Sequence, residues 1–144
     1  SEEWHRAMYK MKHIGGGSWN GIEIPDWKYT TGKASTNPHR STEINWRVDQ
    51  IVTGNRLAQE GQKMRHCVAS YKPACMEGRS AIFSMTSDTA LTTGRRNLTI
   101  EVNQATRGVV QARGYANRNP NPDESNILSK WAKENNISYR GHWY

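Results

Sequence analysis

Residues 97–113 read NLTIEVNQATRGVVQAR, and this stretch decides the fold. Leu98, Ile100 and Val102 alternate with polar residues, which is the two-residue period of a strand that buries one face. Gly108–Arg113 is a second β-like run with two adjacent valines, and turn-forming residues join it to the first. We therefore predict an antiparallel hairpin in this part of the chain.

A third β-like run lies upstream, at Ala81–Thr86. No helical pattern separates the three runs, and successive strands of this kind join most simply as an antiparallel meander. A helical pattern then opens at Asp123 and continues through Leu128 and Trp131. We predict an α+β fold with N-terminal helices, a three- to four-stranded antiparallel sheet, and a C-terminal helix packed on that sheet.

Three segments before the sheet have apolar residues at helical spacing, namely Glu2–His13, Ser41–Glu60 with a break near Gly54 and an end at Gly61, and Met64–Glu77. We predict a helix over each of them. In the third segment Pro73 removes an internal hydrogen bond, so a kink or an early end is expected there. Gly78 is placed to cap the end of that helix.

The segment Ser18–Arg40 is rich in Gly, Thr, Asn and Pro, which predicts a long loop region. Ile22 and Ile24 alternate within it and predict one short strand. At 144 residues the chain is long enough for one core and one domain. We divide it into a helix plus loop-rich extension at residues 1–40, a core at residues 41–135, and a basic aromatic tail at residues 136–144.

The chain carries 20 Lys and Arg against 13 Asp and Glu, a formal net charge of +7. Such a field attracts polyanions, so DNA or RNA is the partner that we predict. A solvated basic surface that only maintains solubility is the alternative. The candidate nucleic-acid-binding residues are Lys63, Arg65, Arg95, Arg96, Arg113, Asn117 and Arg118.

Other classes of protein are disfavoured. No apolar run approaches the roughly 18 residues of a membrane span, and the chain does not start with a secretory signal pattern, so we expect a cytoplasmic protein without a membrane partner. Cys67 and Cys75 lie too far apart for a CxxC pair. We predict reduced thiols, no metal site and no cofactor.

Cys67 is the sharpest candidate nucleophile. At the start of the predicted third helix, the helix dipole and the neighbouring Lys63, Arg65 and His66 favour the thiolate, which is the reactive form. The alternative is a small apolar residue buried against the sheet. A cysteine hydrolase also requires a base within reach, and the three predicted strands contain no histidine.

A polar cluster is the second candidate site. His66 titrates near neutral pH in an ordinary environment, and with Tyr71, Glu101, Gln111 and Arg113 it forms a set suited to metal-independent phosphodiester cleavage. His66 moves protons in this hypothesis, and Tyr71 or Glu101 serves as its partner. Arg113 and Lys63 hold the phosphate. Simple phosphate binding is the alternative, with His66 as a hydrogen-bonded structural group and Glu101 as the ion-pair partner of Arg113.

The same residues fall into ordered motifs that resemble the PcfJ-like domain. The resemblance covers Leu57 to Pro120 and implies a setting in conjugative plasmids, phages and other mobile elements, with a nucleic-acid-associated role. The core at residues 41–135 is thus expected to be PcfJ-like. The motifs are Glu60-Gly61 through Met64-x-His66-Cys67-Val68-x-x-Tyr71, Gly78-x-Ser80-x-Ile82, Leu98-Thr99-Ile100-Glu101, and Val110-Gln111-x-Arg113-Gly114-x-x-Asn117.

Three functional hypotheses follow. The first is a nucleic-acid-associated domain of a mobile element that binds or processes DNA or RNA through its basic face. The second is an enzyme, either the metal-independent nuclease described above or a transferase or hydrolase that uses Cys67. The third is a protein-interaction module within a larger protein, which the loop-rich start of the chain suggests.

Overall fold

The structure is a computed structural model that describes residues 16–140. Within this range the chain forms five strands and three α-helices, which confirms the α+β class. The helix predicted over Glu2–His13 lies outside the described residues. The elements are β1 (Trp27–Thr31), β2 (Ile44–Ile51), α1 (Gly54–Met64), a 3-10 helix (Val68–Tyr71), α2 (Lys72–Met76), β3 (Ser80–Asp88), β4 (Arg95–Asn103), β5 (Gly108–Arg113), a second 3-10 helix (Tyr115–Asn117) and α3 (Pro122–Glu134).

The strands of residues 16–140 form one sheet in the order β1-β2-β3-β4-β5, and each strand is antiparallel to the next one along the chain. The predicted meander is confirmed, and its three strands are β3, β4 and β5. The sheet is larger than predicted, because β1 and β2 come from segments that the sequence indicated as a loop and a helix.

The first part of the second predicted helix, Ser41–Val52, is wrong, since most of this segment is strand β2. The resumed part, Leu57–Glu60, is confirmed, because it lies within α1. The apolar residues of Ser41–Val52 fit both the 3.6-residue period of a helix and the two-residue period of a strand. Ile44, Val48 and Ile51 have helical spacing, whereas Trp46 and Val48 lie two apart and are both buried. The segment pairs with β3 along its length, from Asn45 opposite Asp88 to Ile51 opposite Ile82. The backbone hydrogen bonds of this pairing favour the strand over the helix.

The helix predicted over Met64–Glu77 is also wrong. Helix α1 passes through Gly61 and ends after Met64, because Arg65 adopts a left-handed conformation with φ of 50° and its N–H bonds the carbonyl of Gly61. The chain then turns before the 3-10 helix and α2. Pro73 lies in the first turn of α2, where its missing N–H leaves no bond unmade.

Two further sequence predictions concern the residue after α2 and the segment before β1. Gly78 follows α2 with φ of 75° and so occupies the capping position that was predicted for it. The strand predicted at Ile22 and Ile24 is wrong, because the side chain of Gln50 bonds both the N–H and the C=O of Ile22, at 3.0 and 2.8 Å. The strand of this region is β1, a few residues later.

The two faces of the sheet differ in polarity. α3 packs on one face, as predicted, with Leu128 and Trp131 against Phe83 and Ile100 in the main hydrophobic core. The rings of Phe83 and Trp131 meet edge to face at 4.8 Å. α1 covers only part of the other face, where Leu57 belongs to a small apolar cluster. The uncovered part of this second face carries polar side chains and forms the wall of a cleft.

Within residues 16–140, no helix combines the length and the apolar character that crossing a bilayer requires.

Candidate functional site

A cleft of about 600 Å³ opens between the turn that follows α1 and the polar face of β4 and β5. All six residues predicted to be catalytic line it, and so do two of those predicted to bind nucleic acid, Arg113 and Asn117. The lining residues are His66, Cys67, Val68, Tyr71, Ile82, Thr99, Glu101, Gln111, Arg113, Asn117 and Asn119.

The register of β4 and β5 places the polar residues of the cleft on one face. Glu101 pairs with Gln111, and Thr99 pairs with Arg113. Side chains alternate along a strand, so all four point to the same side of the sheet. The predicted ion pair between Glu101 and Arg113 does not form, because the register sets each of them opposite a neutral residue.

A buried carboxylate holds α1 over this face. Glu60 is 2% exposed. Its oxygens accept hydrogen bonds from Ser84 Oγ at 3.1 Å, from Thr99 Oγ1 at 2.5 Å and from Arg96 Nε at 3.1 Å. The ion pair with Arg96 compensates the buried charge. Arg96, predicted to bind nucleic acid, is therefore an internal counter-charge.

The same network orients His66. The hydroxyl of Thr99 donates its proton to Glu60, so Nε2 of His66, 2.8 Å from that oxygen, must carry a hydrogen and donate it. Nδ1 accepts from the N–H of Val68 at 3.4 Å. These contacts define the neutral imidazole, and burial lowers the pKa of His66 while the charge of Glu60 raises it to a smaller extent. To exchange a proton with a ligand, His66 has to release one of these contacts.

A second network joins Tyr71 to the floor of the cleft. Nε2 of Gln111 donates to the hydroxyl of Tyr71 at 2.6 Å and to Glu101 at 2.9 Å, and Ser80 donates to the other oxygen of Glu101 at 2.9 Å. A carboxylate only accepts, which fixes the orientation of the Gln111 amide. Since the oxygen of Tyr71 accepts from Gln111, the hydroxyl proton of Tyr71 points elsewhere.

The loop after β5 forms the other side of the cleft. Arg113 donates to the side-chain oxygen of Asn119. Ala116 and Asn117 both have left-handed backbones, with φ of 53° and 64°. Two successive residues in this region are strained unless their surroundings hold them, and such strain is typical of functional loops.

Arg118 provides that hold. Its guanidinium makes two parallel bonds of 2.7 Å to Glu124, which is 1% exposed at the start of α3. Bonding to Glu124 raises the pKa of Arg118. Gly114 lies beneath this side chain, since a Cβ there would stand 2.5 Å from Cζ of Arg118. Arg118, predicted to bind nucleic acid, is thus engaged within the fold.

The environment of Cys67 is neither of the two that were predicted, the start of a long helix or a buried position against the sheet. Cys67 is exposed, so the buried alternative is wrong. It follows the C-terminal end of α1 and precedes only a four-residue 3-10 helix, so the predicted position at the start of a long helix is wrong as well. The buried thiol is Cys75, where burial and the charge of Glu101 raise the pKa to about 11.

The remaining basic candidates lie outside the cleft lining. Lys63 and Arg65 are exposed at the end of α1, and Arg95 is exposed at the start of β4. Among residues 16–140, no three His, Cys, Asp or Glu side chains come together in a way that could hold a metal ion.

No role was assigned from the sequence to three residues of this site, Glu60, Thr99 and Asn119, although the first two fall within the motifs. A signal for Glu60 was present, because α1 buries Leu57, Glu60, Gly61 and Met64, and a carboxylate at such a core position requires a partner inside the protein. Thr99 carried a weaker signal, as it shares the polar face of β4 with Glu101.

Comparison with known proteins identifies the family of this chain. A family model described as PcfJ-like protein matches residues 31–128, well over half of the chain. The matched range contains every residue that lines the cleft. The chain matches no curated protein and no solved structure.

We predict that Thr99→Val lowers the free energy of unfolding by about 1–3 kcal/mol, because Glu60 loses a donor and Nε2–H of His66 loses its acceptor in a buried place. Urea denaturation measures this loss. Thr86→Val, at a half-buried position of β3, is the matched control and should change stability by less than about 0.5 kcal/mol. Equal losses in the two variants would contradict the proposed network.

The lowered pKa of His66 predicts a pH dependence of stability. Below the ordinary value of 6.5 the unfolded chain binds a proton that the folded protein resists, so the free energy of unfolding should fall as the pH falls from 6.5 towards the folded pKa. The measurement is the urea midpoint in steps from pH 8 to about pH 5.5, above the range in which carboxylates titrate.

His66→Gln should flatten this dependence, whereas the exposed His39→Gln should retain it. A slope that is the same in both variants would show that another group is responsible.

Proposed function

The chain belongs to the PcfJ-like protein family, and from this premise we propose that it is a nucleic-acid-binding domain whose cleft takes an unpaired, phosphate-bearing segment of DNA or RNA. The observation that carries the proposal is Arg113, which lines an open cleft beside the amides of Asn117 and Asn119. Arg113 is the one Lys or Arg among the described residues that line the cleft.

Arg113 is suited to hold a phosphate. A guanidinium has five N–H donors in a planar fork, and the described contact uses one nitrogen of Arg113 for Asn119. The remaining donors match the oxygens of a phosphate, and an arginine bond of this kind is charge-assisted. The amide groups of Asn117 and Asn119 add uncharged donors to the same place.

The shape of the cleft favours an unpaired strand. Its volume of about 600 Å³ suits a nucleotide, and the half-buried ring of Tyr71 supplies apolar surface for a base. Both grooves of a duplex, by contrast, receive an element that projects from the protein surface, and here the polar groups lie in a concavity. Lys63, Arg65 and Arg95 lie outside the cleft and support attraction at longer range, together with the net charge of +7.

The cellular setting is part of the same proposal. The resemblance to the PcfJ-like domain supports a role in conjugative plasmids, phages or other mobile elements. Cys67 and Cys75 are both free thiols, which supports a reducing compartment such as the cytoplasm.

We predict that Arg113→Gln weakens the binding of a labelled, mixed-sequence single strand and reduces the slope of log K against log salt by about 1, because one phosphate contact is lost. Fluorescence anisotropy over a series of salt concentrations measures both quantities. Arg79→Gln is the matched control, since it removes the same charge from an exposed site at the start of β3, where the guanidinium pairs with Glu77.

Arg79→Gln should change the affinity less than Arg113→Gln does. Binding that is insensitive to salt would overturn the proposal, and so would equal losses in the two variants.

A cysteine-dependent transferase or hydrolase is the second candidate function. The observation that favours it is the exposed thiol of Cys67 in the lining of the cleft. His66, however, directs its two ring nitrogens to Thr99 and Val68, so this imidazole is not prepared as the base of the thiol.

Alkylation tests this second candidate. An activated Cys67 should react with iodoacetamide at pH 7 faster than the same thiol does in the urea-unfolded chain, with the site of labelling read by peptide mass spectrometry. Cys75 should react only after unfolding, because it is buried and its pKa is raised to about 11. A rate for Cys67 no faster than in the unfolded chain would reject the nucleophile.

A further inference from the structure

The cleft holds a carboxylate that has no cationic partner among residues 16–140. Glu101 accepts one bond from the hydroxyl of Ser80 and one from the amide of Gln111, both neutral groups, and the ion pairs within this range involve other carboxylates. A carboxylate has about four lone-pair sites, so roughly two stay open for a ligand. A ligand that offers two adjacent hydrogen-bond donors suits such a group.

Tyr71, which Gln111 links to Glu101, offers a hydrogen-bond donor to the cleft. The hydroxyl of Tyr71 accepts from Gln111, so its own proton is available as a donor, and no described residue takes it. Tyr71 and Glu101 both line the cleft, and Gln111 bridges them. Along this wall the cleft therefore presents a donor followed by a pair of acceptors.

We infer that the cleft selects guanine, and this inference rests on the proposed function. The Watson–Crick edge of guanine carries the O6 acceptor, the N1–H donor and the N2–H donors in that order. O6 then accepts from Tyr71, while N1–H and N2–H donate to the two oxygens of Glu101. The phosphate of the same nucleotide lies on Arg113.

The other bases fit this wall less well. Adenine and cytosine present the lone pair of a ring nitrogen beside their amino group, and that lone pair faces the carboxylate. Thymine and uracil have a single N–H between two carbonyl oxygens. Each of these bases brings an acceptor against Glu101, and an unfavourable pairing of this kind lowers affinity by about tenfold or more.

The spacing of the two charges suits one nucleotide. Glu101 pairs with Gln111 on β5, and Arg113 lies two residues further along that strand. With about 3.4 Å per residue along a strand and about 4.8 Å between strands, the two backbone positions are roughly 8 Å apart. A nucleotide bridges such a distance between its base edge and its phosphate.

Short labelled oligothymidylates with one central substituted base test this inference by fluorescence anisotropy. A central guanine should raise the affinity at least about tenfold over thymine, adenine or cytosine. A central hypoxanthine, which lacks the 2-amino group, should lose most of that gain. This comparison uses the unaltered protein and does not depend on the folding of a variant.

Glu101→Gln should abolish the preference for guanine, because the amide presents one oxygen and one NH2 group, so one of the two donors of the base would face a donor. The exposed Glu77→Gln is the matched control and should retain the preference. Thermal midpoints of both variants report whether they fold.

The outcomes separate the two proposals. Salt-dependent binding with equal affinity for all central bases would overturn the inference and leave the proposed function standing. A guanine preference that survives in folded Glu101→Gln would also overturn it, since another group would be reading the base. Failure to bind any of the oligonucleotides at low salt would overturn the proposed function and this inference with it.

Discussion

The buried carboxylate of Glu60 is the interaction on which the rest of the site depends. It joins helix α1 to two strands at once, through Ser84 of β3 and through Thr99 and Arg96 of β4. A charge in this position is tolerated only because all these partners are present, and removal of one partner of a buried pair typically costs about 3–5 kcal/mol. The position of α1 over the sheet, and hence the turn that carries His66 and Cys67, follows from this contact.

A second buried carboxylate frames the opposite side of the cleft. Glu124 receives the fork of Arg118, and the same group caps α3 through Asn121. Both buried carboxylates are thus neutralised by arginines that the fold itself engages. Glu101 and Arg113 differ from them, because they face the cleft and do not pair with each other. These two charges are the ones that the cleft exposes to a ligand, which is why the proposed function and the inferred preference for guanine rest on them.

The strands of the sheet were predictable where the apolar residues fit only the two-residue period of a strand. β5 has the predicted bounds, and β3 and β4 extend the predicted runs by a few residues, since alternation between apolar and polar side chains directly reflects a strand with one buried face. β2 was not predictable in this way, because Trp46 and Val48 fit a strand while Ile44, Val48 and Ile51 fit a helix. The end of α1 was missed for a different reason, as Arg65 adopts a left-handed backbone that its residue type does not announce.

The sequence by itself determined the two faces of β5, so the spacing of Gln111 and Arg113 alone placed both side chains on one side of that strand. Only the tertiary structure decided which polar groups face the open cleft and which pair with other groups of the protein. Arg96 and Arg118 have the same chemistry as Arg113, yet they bond Glu60 and Glu124 inside the fold. The physical reason is that burial and pairing arise between segments distant along the chain, whereas periodicity reports only on near neighbours.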